Sequence, residues 1–104
     1  MNITFKDLIK LWGKPVSQKE IDFDLPVGRI STDSRTIKTG DFFVPLVGNT
    51  FDGHDYLEMA FDIGIQAAIV SHHFDGFVPT DLPHWLVSDT LYAYQQIALL
   101  HRRN

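Results

Sequence analysis

Two short polar segments carry most of the residues whose types and spacing suit chemistry. Thr32-Asp33-Ser34-Arg35 packs two hydroxyls, a carboxylate and a permanently charged guanidinium into four positions. That set matches a phosphate, through Arg and hydroxyl donors, and the donor–acceptor edge of a base or ribose. The same residues also make a self-satisfied turn, in which Asp33 bonds the backbone and Arg35 pairs with it. The second segment is Gly48-Asn49-Thr50-Phe51-Asp52-Gly53-His54. Its glycines let main chain approach a flat ligand, Phe51 offers a ring to stack on, and a following helix presents free N–H groups. A turn ending in a helix cap accounts for it equally well. Each segment follows an expected strand, and ligands of α/β sheets sit beyond the carboxyl ends of strands.

Other chemistries find little support. The chain has no cysteine, which removes disulfides, thiolate catalysis and thiolate zinc sites and fits a reducing compartment. Its five histidines include an adjacent pair, His72-His73, which on a strand would face opposite sides. His84 is expected in a loop and His101 on a terminal helix, and no pair has the i, i+4 spacing of a helical zinc site. No metal site is expected. There is no Gly-rich phosphate loop ending in Lys-Ser or Lys-Thr, no Gly-x-Gly-x-x-Gly and no Gly-x-Ser-x-Gly.

The elements that must position the two segments follow from periodicity. Thr4 and Asp7 hold the places of a capping box, with Ile3 and Leu8 at the staple positions, and Leu8, Leu11 and Trp12 continue a helical face that Gly13 and Pro15 stop. Residues 14 to 24 form a polar connector. Strands are expected at Val27–Thr32 and Asp41–Val44, where Pro45 imposes an edge, bulge or end, with a turn at Gly48-Asn49. A helix is expected from about His54 to Ile63, capped by Asp52, ended by Gly64, and burying Tyr56, Leu57, Ala60 and Phe61. Ala67–Val70 and Trp85-Leu86-Val87 read as buried strands separated by a loop. Ser88 or Asp89 then caps a last helix through Leu91, Tyr92, Gln95, Ile97, Ala98 and Leu99. The order α-β-β-α-β-β-α describes an α/β sandwich with at least one parallel crossover. The chain ends at His101-Arg102-Arg103-Asn104 without a closing turn, so the helix is either a true terminus or continues.

Size and charge bound the partners. A chain of 104 residues suffices for one domain with a real core. With 44% hydrophobic and 21% charged residues it is neither disordered nor repetitive. Nine Lys and Arg against thirteen Asp and Glu give a net charge of −4, which lacks the basic footprint that nucleic acid or an anionic membrane requires. The amino terminus from Met1 to Asp7 has no basic region followed by an apolar run, and no stretch is long enough to span a bilayer.

Taken in order, the segments resemble one family. Thr32-Asp33-Ser34-Arg35, Gly40-Asp41-Phe42-Phe43-Val44, Gly48, Phe51-Asp52-Gly53-His54-Asp55-Tyr56, Ala60 and Gly64 form a series similar to the amino-terminal domain of the Mur ligases. These cytoplasmic enzymes build the peptidoglycan peptide on a UDP-linked sugar. The likeness runs from Ile30 to Val70 and loosely over nearly the whole chain. It implies a small two- or three-layer α/β sandwich on a mixed sheet of about four to five strands. It also implies that residues 1–104 are the UDP-binding domain of a larger ligase whose central ATP-binding and carboxy-terminal domains are absent. Phe-Asp-Gly-His-Asp followed by an aromatic is most similar to the MurF type. That type uses ATP and magnesium to join D-alanyl-D-alanine to UDP-N-acetylmuramoyl-tripeptide, through an acyl phosphate. The MurE type, which adds the third amino acid, has a similar Thr-x-Asp-Ser-Arg loop.

By position, the resemblance implies that Thr32 and Ser34 contact ribose or diphosphate, and that Asn49, Thr50 and Phe51 frame the uracil. Arg35 touches phosphate or braces its loop, while Asp33, Asp52, Gly53 and His54 order the loops. Pro45 and Ile65 stand where the family commonly has alanine. The fragment itself is expected to be inactive, without catalytic residues or a cofactor. The alternative is a stand-alone interaction module that keeps the fold without the ligand.

Overall fold

The computed structural model describes residues 3–103. Met1 and Asn2 of the amino-terminal segment, and Asn104 at the far end, lie outside the described residues. The elements are α1 (Phe5–Trp12), β1 (Ile30–Ser31), β2 (Phe42–Phe43), α2 (Leu57–Ile63), β3 (Ala67–Ser71), β4 (His84–Val87) and α3 (Thr90–Arg103). Two 3-10 turns, Ser34–Thr36 and Gly53–Tyr56, interrupt the connections after β1 and before α2.

The strands lie side by side in the order β1-β2-β3-β4, all parallel. Register pairs Ile30 with Phe42, Phe42 with Ala67, and Ile69 with Trp85. Antiparallel pairing enters through isolated bridges, among them Val16 with His84 at the outer edge of β4. That bridge draws the polar connector against the sheet.

Successive side chains of a strand point to opposite faces, and this sorts the core into two clusters. On one face Phe42, Val44, Ala67, Ile69 and Trp85 pack with Phe5 and Leu8 of α1 and Ala93 and Ile97 of α3. On the other, Phe43, Ala68 and Val70 pack with Leu57 and Ala60 of α2 and with Leu82. The sandwich therefore has three layers, α1 with α3, the sheet, and α2. The near-continuous apolar run of β3 is the pattern of a strand covered on both sides.

Local signals place the ends of the helices. The backbone N–H of Thr4 donates to the Asp7 carboxylate at 2.9 Å, and Ile3 and Leu8 are both buried in the first cluster. Gly13 and Gly64 close α1 and α2 with φ of +82° and +103°, a region that favours glycine. At the start of α3 the Asp89 carboxylate, and not Ser88, accepts from the amides of Leu91 and Tyr92.

Several sequence expectations need correction. The first two strands shorten to two residues each, Ile30–Ser31 and Phe42–Phe43, although hydrogen bonds from Phe42 to the Arg29 carbonyl and from Val44 to the Ser31 carbonyl flank the pairing. His84 is a buried member of β4 whose Nδ1 lies 2.8 Å from the Leu82 carbonyl, not a loop residue. Leu86 is half exposed: it alternates with Trp85 and so points to the α2 side of the sheet, on the outermost strand. His72 and His73 sit in a turn with ring centroids 4.3 Å apart instead of on opposite faces of a strand. The last helix forms where the sequence places it; Thr90, Ala93 and Ile97 make its buried stripe, and Leu91, Tyr92, Gln95, Ala98 and Leu99 point outward.

Candidate functional site

Both polar segments emerge at the carboxyl ends of neighbouring strands, the first after β1 and the second after β2. In the first, Asp33 caps the 3-10 turn by accepting from the Arg35 amide at 2.9 Å. The Arg35 side chain folds back on the same carboxylate, with Nε at 3.0 Å and Nη2 at 2.9 Å, a bidentate fork. The pair is open to solvent, with the Arg35 side chain 86% exposed. Hydrogen bonding by Arg35 holds the Asp33 carboxyl below its ordinary range and raises Arg35 in return.

The second segment is a tight excursion closed at its base. Gly48 N–H donates to the Phe51 carbonyl at 2.7 Å, Gly53 N–H donates to the Leu46 carbonyl at 2.8 Å, and Val47 bridges Asp52. This turn presents Phe51 at its shoulder, 44% exposed. The Asp52 carboxylate accepts from the His54 amide at 2.9 Å and lies 2.7 Å from its Nδ1. The other ring nitrogen of His54 accepts the Ser71 N–H at 2.9 Å. A backbone N–H can only donate, so Nε2 is the bare nitrogen and Nδ1 carries the proton toward Asp52. His54 is buried, stacked 5.0 Å from Phe74, and so ties the turn to β3.

Between the segments lies a cleft of about 440 Å³, lined by Thr32, Asp33 and Arg35 from the first and Phe51 and Tyr56 from the second. Phe51 and Tyr56 stack on one another at 6.0 Å, making one wall aromatic. The opposite wall is polar. Such a cleft can take a planar ring against its aromatic side and an anion at its guanidinium.

The structure brings only some of the sequence candidates together. Thr32, Asp33, Arg35 and Phe51 meet in the cleft; Ser34, Asn49 and Thr50 are not among its lining residues, and Asn49 and Thr50 are exposed. Asp52, Gly53 and His54 stand behind it. Tyr56, expected in the buried stripe of a helix, lines the cleft at 38% exposure. The cause is the 3-10 turn over Gly53–Tyr56: with three residues per turn instead of 3.6, Tyr56 is rotated off the face that buries Leu57 and Ala60. Phe61 of that stripe is partly buried.

A second concavity, about 450 Å³, lies between Leu46-Val47, Ser71 and the Ser88–Leu91 start of α3. Among the described residues no group of three or more His, Asp or Glu side chains is placed to hold a metal ion, and no helix is long and apolar enough to cross a membrane.

A parallel sheet covered by helices on both faces, with a polar–aromatic cleft at the carboxyl ends of its strands, is an α/β domain whose cleft lies where such sheets hold ligands. Comparison with known proteins narrows the class. Residues 26–84 match the family described as "Mur ligase family, catalytic domain", and the chain belongs to the Mur ligase family. The UDP-N-acetylmuramoyl-tripeptide--D-alanyl-D-alanine ligase of Synechocystis is 36% identical over 83 residues, 80% of this chain and 18% of that protein. Its Bacillus subtilis counterpart is 39% identical over 72 residues, 66% of this chain and 15% of that protein. The crystal structure of MurF from Acinetobacter baumannii superposes with a TM-score of 0.72 at 28% identity, covering 93% of this chain and 20% of that one. The chain thus spans about a fifth of the length of these relatives.

Proposed function

We propose that this chain is a UDP-recognition domain of a MurF-type ligase, the cytoplasmic enzyme that joins D-alanyl-D-alanine to UDP-N-acetylmuramoyl-tripeptide with ATP. The cleft between Thr32-Asp33-Arg35 and Phe51-Tyr56 takes the UDP end. The uracil lies against the aromatic wall, Asn49 and Thr50 close over its edge, and Thr32, Ser34 and Arg35 face ribose and diphosphate. Holding the remote nucleotide end positions the tripeptide carboxylate for chemistry performed elsewhere in the parent enzyme. The observation that carries this reading is the meeting of the two polar segments in one cleft. The MurF type is favoured over the MurE type because its relatives match over more of the chain. The Synechocystis ligase aligns over 80%, whereas a Bacillus licheniformis diaminopimelate ligase, 41% identical, aligns over 54%.

ATP and magnesium do not fit this chain. The sequence has no phosphate loop, and the described residues offer no metal-holding cluster. They belong to the parent reaction, and no step here runs through them. On this reading residues 1–104 contribute anchoring of the nucleotide end, and the chemistry lies elsewhere in the parent enzyme.

Titration of UDP into the isotope-labelled chain is the test. Amide shifts are expected at residues 32–36 and 48–56, with a dissociation constant on the order of millimolar, about 4 kcal/mol of binding. In a full-length ligase carrying this domain, Ser34→Ala and Arg35→Ala should each raise KM for the UDP substrate. Shifts confined to other surfaces, together with an unchanged KM in both variants, would overturn the reading. One observation favours the rival, a stand-alone interaction module: Arg35 is already paired with Asp33. That module would leave the amides silent to UDP.

A further inference from the structure

Asp33 and Arg35 are the charged residues among the five that line the cleft, and they are bound to each other through two hydrogen bonds. The cleft is therefore close to neutral at its polar wall. An entering diphosphate meets a guanidinium whose planar fork is filled by a carboxylate, and a carboxylate and a phosphate occupy that fork with the same bidentate geometry. The neighbouring Asp52 does not compete, because its carboxylate is held by the amide and ring of His54.

We propose that Asp33 is a displaceable stand-in for the ligand's phosphate: it holds the Arg35 fork in the free domain, and a diphosphate takes its place on binding. The inference rests on the reading of the cleft as the site for a UDP end, and it adds a residue that sets affinity against the ligand's charge. The exchange is local. Asp33 keeps its second task, capping the turn through the Arg35 amide, while the Arg35 side chain swings from one anion to the other. Because the pair is exposed, it opens at low cost, and Asp33 weakens anion binding without blocking it. A ligand without phosphate gains nothing from the exchange and gives no reason for Arg35 to leave.

Asp33→Asn tests this directly. Asparagine retains an oxygen to cap the turn but carries no charge to hold the fork. UDP and uridine are titrated into the wild-type chain, into Asp33→Asn, and into Asp33→Asn combined with Arg35→Gln. Amide spectra of residues 32–36 report that the turn persists. The single variant should bind UDP roughly threefold to fivefold tighter, the size of one exposed ion pair. Its affinity for uridine should be unchanged, and the double variant should lose the gain. Unchanged or weaker UDP binding by Asp33→Asn, while the wild type still responds in the cleft, overturns the exchange and leaves the cleft assignment standing. An equal gain for uridine also overturns it, since charge would then not be the cause. No response to UDP in any of the three chains overturns the cleft assignment and the exchange together.

Discussion

Asp33 serves its neighbour three times, accepting from the amide, Nε and Nη2 of Arg35. Side-chain hydrogen bonds from Arg35 dominate the depression of its carboxyl, followed by the backbone bond. A carboxyl depressed in the folded chain contributes order that is complete above its unfolded pKa and is lost as pH falls through the folded value. The fork should therefore stay closed around pH 3.8, where an ordinary aspartate is half protonated, and open only at lower pH. Following the Asp33 carboxyl carbon by NMR should give a midpoint below 3.8, with the Arg35 Nε–H resonance moving in step. A midpoint at or above that value would contradict the pairing. At this scale the sequence offered both outcomes for Arg35, ligand contact and self-pairing, because four residues in a row satisfy either. His54 was more legible: two positions after a capping aspartate, its Nδ1 bond is local. Its bond to Ser71, seventeen residues on, needs the sheet to be folded first.

The excursion between β2 and α2 depends on a close approach that only glycine allows. A Cβ on Gly53 would stand 3.0 Å from the Leu46 nitrogen and from both Cα and Cβ of Pro45, all of them main chain or ring and unable to swing aside. Gly53→Ala should destabilise the chain by about 1–2 kcal/mol through overpacking and displace the Phe51 wall. Gly48→Ala is the matched control, since its Cβ would meet only the Phe51 carbonyl at an ordinary 3.8 Å. Urea denaturation of the two variants should separate them, and equal midpoints would remove the close contact as the cause. The helices were legible because their signals are local: capping residues, a terminating glycine, and a 3.6-residue stripe. The strands were less so. β1 and β2 are two residues long, too short for alternation to show, and they exist because flanking elements press Phe42 and Phe43 into opposite cores. Tyr56 was misplaced because nothing local marks a 3-10 turn where an α-helix has an equally good pattern. The Arg29–Asp41 fork, with Nε to Oδ1 at 3.1 Å and a buried carboxylate, went unread for a different reason. It joins β1 to β2 across twelve residues, and only the parallel register brings the partners together.

For the whole molecule, one side chain joins three of the layered elements. Trp85 on β4 meets the rings of Phe5, Trp12 and Phe42 edge-on or tilted, at centroid separations of 5.6, 5.9 and 5.9 Å. Its indole N–H donates to the Gly13 carbonyl at the end of α1 at 2.6 Å. The two core clusters share the sheet, so a loss on one face is transmitted through backbone common to both. Trp85→Ala removes the hub, leaves a cavity and orphans the Gly13 carbonyl, at a cost of about 3–5 kcal/mol. A domain of this size has roughly 5–15 kcal/mol in total, so the variant should fold marginally or not at all. Trp85→Phe keeps much of the ring contact and forfeits the N–H bond. It should lose less, fold at room temperature, and retain the cleft, whose lining comes from the segments after β1 and β2. Urea unfolding of Trp85→Phe should give coincident transitions by far-UV circular dichroism and by the amide signals of α2, which belongs to the opposite face. Transitions that separate by probe would mean that the faces unfold independently, and that the shared sheet does not couple them.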